Sequence, residues 1–104
     1  MYICGMDQVE IFKALANKTR IQILTWLKDP AKHFPAHEKN CEHLGVCVGL
    51  IQQKSGLTQS TISEYLSILQ RAGLISATRM GQWTYYKRNE AAFERLGHLI
   101  TTEL

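Results

Sequence analysis

The chain has 104 residues, is 45% apolar and carries a formal net charge of +3, which suits one domain with one modest core. No apolar run approaches the roughly 18–20 residues that cross a bilayer, and no secretory h-region follows Met1–Gly5, so a soluble, cytoplasmic protein without a membrane partner is expected. Three cysteines, Cys4, Cys41 and Cys47, cannot all pair within one chain, and free thiols in a reducing compartment are expected.

Asp7 with Glu10 forms a capping-box pattern, and Met6, Val9, Phe12 and Leu15-Ala16 share a helical face, which predicts a first helix over about 7–16. Asn17-Lys18 interrupts it. Thr19 with Gln22 offers a second capping box, and Ile21, Ile23, Leu24 and Leu27 carry a second helix to about Lys28. Pro30 and Pro35 then break regularity, and the polar stretch 29–43, rich in His and Lys, holds few core-forming residues, so a long loop is expected. Leu44, Val48 and Ile51 recur at helical spacing and predict a third helix over about 44–54, with Gly56 as its C-terminal cap. Thr58 can cap a fourth helix, whose apolar stripe Ile62, Leu66 and Leu69 stops at Ala72-Gly73. The β-branched and aromatic runs Leu74–Thr78 and Gln82–Lys87 flank Met80-Gly81, where glycine can take the positive φ of a tight turn, and predict a hairpin. Asn89 can cap a last helix with Glu90 near its amino end and Ala92, Phe93, Leu96, Leu99 and Ile100 as its apolar face. Repeats and low-complexity tracts are absent.

The third and fourth helices are separated by Ser55-Gly56-Leu57, the short glycine-containing turn of a helix-turn-helix, which would place the fourth helix in a DNA major groove. Opposite its apolar stripe stand Gln59, Ser60, Thr61, Ser63, Glu64 and Tyr65, polar groups suited to base edges and phosphates. From Lys54 to Arg88 the bases Lys54, Arg71, Arg79, Lys87 and Arg88 face one acid, Glu64. Arg79 near the hairpin tip, Gln82 beyond the turn and Lys87-Arg88 at the base are placed for phosphate contacts, which supply most non-specific affinity. The DNA-binding set is therefore Thr58, Gln59, Ser60, Thr61, Ser63, Glu64, Tyr65, Arg71, Arg79, Gln82 and Lys87. Trp83, Tyr85 and Tyr86 are read as core or hairpin support rather than a stacking platform. The expected fold is mainly α (α+β): a single winged helix-turn-helix domain over 1–104, with about five helices and a two-stranded hairpin wing. Its helix-turn-helix spans about 45–73 and its wing about 74–88.

The strings Phe12-Lys13-Ala14-Leu15-Ala16-Asn17-Lys18-Thr19-Arg20-Ile21-Gln22-Ile23-Leu24, Leu57-Thr58-Gln59-Ser60-Thr61-Ile62-Ser63-Glu64-Tyr65-Leu66 and Ala72-Gly73-Leu74-Ile75, followed by Gly81-Gln82-Trp83-Thr84-Tyr85-Tyr86, together resemble the ArsR/SmtB family of bacterial winged-helix repressors over roughly residues 8–88. The resemblance implies a homodimer that binds an imperfect inverted repeat in a promoter and leaves it on a signal, with the terminal helices, about 6–17 and 89–103, forming the dimer interface. A two-fold protein suits a two-fold site. Phe12, Phe93, Leu96 and Ile100 are the interface candidates, and each also suits an intrachain core. A winged-helix protein-interaction module without DNA binding is the alternative reading.

The resemblance also implies a Cys-Val-Cys metal motif before the recognition helix, but this chain has Cys47-Val48-Gly49 and lacks one thiolate. The family's second metal site, on the last helix, finds Asn89, Ala91 and His98 in place of its ligand set. A separate cluster, His33, His37, Cys41, His43 and Cys47, has spacings that suit Zn(II), and Cys4 could add a third thiolate for arsenite, so Cys4, Cys41, His43 and Cys47 are the metal candidates. A third reading assigns Cys47, at the positive end of a helix, to oxidant or electrophile sensing, with Cys41 as resolving thiol. A non-thiol small-molecule signal stays open. No cofactor is required, and a thiol enzyme built on Cys47 with His43 or His98 lacks an orienting third group, so no enzyme is expected.

Overall fold

The computed structural model describes residues 8–34 and 44–104. Its elements, in chain order, are α1 (Gln8–Leu15), α2 (Lys18–Lys28), α3 (Pro30–His33), β1 (Val46–Cys47), α4 (Val48–Ser55), α5 (Gln59–Arg71), β2 (Ile75–Met80), β3 (Trp83–Arg88) and α6 (Glu90–Thr102). One apolar cluster gathers buried side chains from α1, α2, β1, α4, α5, β2 and α6. No helix among the described residues is long and apolar enough to cross a membrane.

The first helix pair departs from expectation at its joint. Asn17, not Thr19, caps α2: its backbone is extended and its Oδ1 accepts from the Arg20 amide at 3.0 Å, satisfying one of the amides a helix start leaves bare. The Asp7 cap lies outside the described residues. Ile23, Leu24 and Leu27 of α2 are buried as expected, but Trp26 joins them while Ile21 is left 49% exposed.

The expected loop after α2 begins instead with a single helical turn. Proline stands at the first position of α3, where its missing N–H costs nothing, and the Phe34 amide donates to the Pro30 carbonyl at 2.8 Å. This turn delivers Phe34 into the core, edge-to-face against Trp26 with ring centroids 6.2 Å apart. The stretch therefore does supply a core residue, one that an aromatic pair holds in place.

The third helix starts later than its periodicity predicts. Leu44–Cys47 is not helical. Gly45 adopts φ 107°, and a Cβ there would fall onto the Tyr86 carbonyl, so the chain passes β3 at a distance open to glycine alone. Beyond it, β-branched Val46 is fully buried and pairs with Tyr86, and Cys47 pairs with Tyr85. The wing is thus part of a three-stranded antiparallel sheet of order β1-β3-β2, not a free two-stranded hairpin.

The hairpin turn is Gly81-Gln82, one residue later than expected, closed by the Met80↔Trp83 pair. Gly81 has φ 64° and Gln82 no positive φ, the Gly-X order of two-residue hairpin turns whose twist matches their strands. At the other end of the chain, Asn89 caps α6 as expected, accepting from the Ala92 amide at 3.3 Å, and its Nδ2 also donates to the Gly73 carbonyl at 3.0 Å. One side chain therefore fixes both the start of α6 and the bend after α5.

Candidate nucleic-acid interface

The turn between α4 and α5 is built by small polar residues. Gly56 takes a left-handed conformation at φ 71°, and its amide donates to the Gln52 carbonyl at 3.1 Å. Ser55 Oγ donates to the same carbonyl at 2.8 Å and accepts from the Leu57 amide at 3.1 Å. Thr58 then caps α5: its Oγ1 accepts from the Thr61 amide at 3.3 Å and donates to Thr61 Oγ1 at 2.9 Å. Two helices joined by so short and so well-satisfied a bend are held at a fixed angle.

Ile62, Leu66 and Leu69 of α5 are fully buried, so its far side must face outward. At about 100° per residue, Ser60, Glu64, Ser67 and Arg71 form a row opposite that stripe, and Gln59, Ser63 and Gln70 flank it. All seven are exposed. Ser67 and Gln70 are missing from the sequence-predicted set, although carrying the same period one more turn along α5 would have found them.

Thr61 and Tyr65, both predicted contacts, are half-buried rather than exposed. Thr61 is half-buried and bound to the Thr58 cap. Tyr65 is half-buried against the core, with the Arg20 guanidinium 5.3 Å from its ring centroid. Neither belongs to the exposed row.

The sheet register divides the wing. Ile75, Ala77 and Arg79 oppose Arg88, Tyr86 and Thr84, and Ser76, Thr78 and Met80 oppose Lys87, Tyr85 and Trp83. Directly paired residues share a face and neighbours alternate. Arg79 therefore lies on the core-facing side, beyond the end of the core, while Lys87 lies on the outer side with Met80 and Trp83. Both apolar tip residues are about half exposed, at 55% and 51%. Arg79 Nε donates to the Gly81 carbonyl at 3.1 Å, bracing the turn, and Gln82 is exposed at the tip.

Lys54 and Arg88 are engaged with aromatic rings or a carboxylate of the same chain. The Lys54 ammonium lies over the rings of Trp26 and Phe34 at 5.4 and 5.8 Å. Arg88, expected at the hairpin base as a phosphate contact, makes a fork to Glu90, with Nε and Nη2 each 3.0 Å from a carboxylate oxygen, and covers the Phe93 ring at 3.8 Å. Arg71, Arg79 and Lys87 are exposed on the candidate surface, and Lys54 is exposed beside the Trp26–Phe34 pair.

The four interface candidates separate in the same way. Leu96 is buried in the core and Phe93 is half-buried beneath Arg88. Phe12 and Ile100 are exposed, together with Val9 of α1 and Leu104 just beyond α6, which were not among the candidates.

Cys47 is half-buried in β1, on the outer side of the sheet opposite Tyr85, and precedes α4 as its N-cap without a side-chain cap bond. The metal motif implied by the resemblance does not fit these residues. Gly49 stands where the second thiolate would be, with open space around it, and Asn89 is committed to Ala92 and Gly73. Among the described residues no three His, Cys, Asp or Glu side chains come together. Cys4, His37, Cys41 and His43 lie outside the described residues.

No family model matches the chain. It is 52% identical over 100 residues to the uncharacterized HTH-type transcriptional regulator YbzH of Bacillus subtilis, covering 95% of this chain and 100% of that protein. It is 32% identical over 93 residues to the arsenical resistance operon repressor of the same organism, covering 89% of this chain and 73% of that one. Among solved structures it is similar to the homodimeric winged helix-turn-helix DNA-binding domain of a possible ArsR-family transcriptional regulator from Mycobacterium bovis. That match has a TM-score of 0.61 and 31% identity, and covers 89% of this chain and 73% of that one.

Proposed function

The chain belongs to the ArsR family of winged helix-turn-helix transcriptional regulators, and from that membership we propose that it is a homodimeric, cytoplasmic repressor that occupies an imperfect inverted repeat in a promoter until a signal releases it. Its relatives are regulators, not enzymes. The observation that carries the reading is the exposed row Ser60, Glu64, Ser67 and Arg71, raised on a fully buried stripe and followed directly by the wing. Arg can pair bidentately with guanine, a carboxylate can accept from cytosine N4, and Ser serves either base type. Gln59, Ser63, Arg79, Gln82 and Lys87 flank the row and suit phosphate contacts that set register.

Dimerisation is supported by the exposed apolar residues Val9, Phe12, Ile100 and Leu104 on and beside the first and last helices. Two copies related by a two-fold axis would place their recognition helices in successive major grooves, about 34 Å apart.

A titration of the protein's own promoter at increasing salt tests the reading. Affinity falls steeply, with a log–log slope of about −0.9 per phosphate neutralised, and a flat response would count heavily against DNA as the partner. Ser60→Ala relaxes base preference, whereas Arg79→Ala weakens all sequences alike. The release signal is one of three chemistries: an oxidant or electrophile at Cys47, a thiophilic cation such as Zn(II) or arsenite, or a small molecule. Repeating the titration with Zn(II), arsenite and a mild oxidant on wild type and Cys47→Ser separates them, since a thiol-directed signal acts on wild type alone.

A further inference from the structure

Arg20 binds two elements besides its own. Its Nε donates to the Ala14 carbonyl at 2.7 Å and its Nη2 to the Lys13 carbonyl at 3.0 Å. Both acceptors lie in the last turn of α1, the end that carries partial negative charge, and the Lys13 carbonyl also accepts from the Ala16 amide at 3.1 Å. The same guanidinium lies over the ring of Tyr65, midway along α5. Arg20 is itself held at the start of α2, where its amide donates to the Asn17 cap.

We propose that Arg20 is a positioning residue that sets the orientation of the recognition helix against α1, and through α1 against the second protomer. The inference rests on the dimeric DNA-binding reading above. The aliphatic stripe Ile62, Leu66 and Leu69 fixes how deeply α5 is seated, but such contacts are non-directional. A planar fork held by two carbonyls and lying over an aromatic face is directional, and lysine cannot reproduce it. Tyr65 then serves DNA reading through its ring's contact with Arg20, not through its hydroxyl. Because α1 carries the exposed Val9 and Phe12, a recognition helix released from Arg20 loses its alignment with its two-fold mate. That costs affinity for a spaced pair of half-sites and spares binding to arbitrary duplex, which depends on phosphate contacts.

Arg20→Lys, Tyr65→Leu, Tyr65→Phe and the double variant Arg20→Lys/Tyr65→Leu test this, measured on the protein's own promoter and on a random duplex of equal length. Sedimentation reports the dimer and circular dichroism the fold. Arg20→Lys and Tyr65→Leu should each dimerise, bind random duplex within about twofold of wild type and lose about tenfold on the promoter. Tyr65→Phe should stay near wild type, and the double variant should be no worse than either single change, as for two residues acting through one contact.

Undiminished promoter binding by Arg20→Lys would overturn the inference, as would equal losses on both duplexes or additive losses in the double variant. If Arg20→Lys fails to fold, the Tyr65→Leu and Tyr65→Phe pair carries the decision, since it leaves both carbonyl bonds in place. Wild type that binds neither duplex would sink the DNA-binding reading itself, whereas wild type that binds, with variants indifferent, sinks the role of Arg20 alone.

Discussion

At Gly45 the chain runs beside β3 with its φ at 107° and no room for a methyl group in front of the Tyr86 carbonyl. Gly45→Ala combines a left-handed strain with a backbone overlap, and its expected cost is about 3 kcal/mol or more in urea denaturation. A loss under about 1 kcal/mol would mean that β1 peels away from β3 at little cost. Tyr86, on the same strand, has its phenol pushed above the ordinary range by burial. A raised folded-state value means that this contribution to stability is complete below the unfolded value, near pH 10, and is lost as pH climbs through the folded one. Tyr86→Phe should therefore flatten the alkaline fall in melting temperature, and an unchanged alkaline limb would place that fall on other groups.

Among the elements, the caps of α5 and α6 differ in what they hold. Thr58→Ala removes one amide acceptor and should cost about 1 kcal/mol. Asn89→Ala removes an acceptor and also the donor to Gly73, and should cost more, about 2 kcal/mol. Equal losses in denaturation would show that the Gly73 bond adds nothing. Both caps were legible in the sequence, as were Gly56 and the stripe Ile62, Leu66 and Leu69, because capping and helical period are local properties. The region from Leu44 to Cys47 was not: Leu44, Val48 and Ile51 mimic a helical period, while the pairing of Val46 with Tyr86 joins residues far apart in the chain. Phe34 was missed for the same reason, since its place depends on Trp26. At the candidate site, Ser60 and Glu64 followed from the exposed face of α5, and Arg71 from the excess of basic residues between Lys54 and Arg88. The partners that take Tyr65 and Arg88 out of that surface, Arg20 and the Glu90–Phe93 pair, leave no periodic trace.

For the whole molecule, the proposed dimer assigns opposite outcomes to residues of one helix. Ile100→Glu places a charge on an exposed apolar position and should give a folded monomer in sedimentation, with promoter affinity reduced. Leu96→Ala opens a cavity in the core and should cost about 3 kcal/mol of stability. A dimer that survives Ile100→Glu would move the interface off the end of α6. The two tryptophans of the chain occupy contrasting places: Trp26 is sealed beneath Phe34 and Lys54, and Trp83 stands at the hairpin tip. The protein thus carries two built-in fluorophores. Acrylamide should quench Trp83 readily and Trp26 poorly, so Trp83→Phe removes most of the quenchable emission. In that variant the remaining blue-shifted signal reports on the seam between α2 and α4, and in Trp26→Phe the remaining red-shifted signal reports on the wing. Emission can then tell which of the two moves when the regulator meets its promoter.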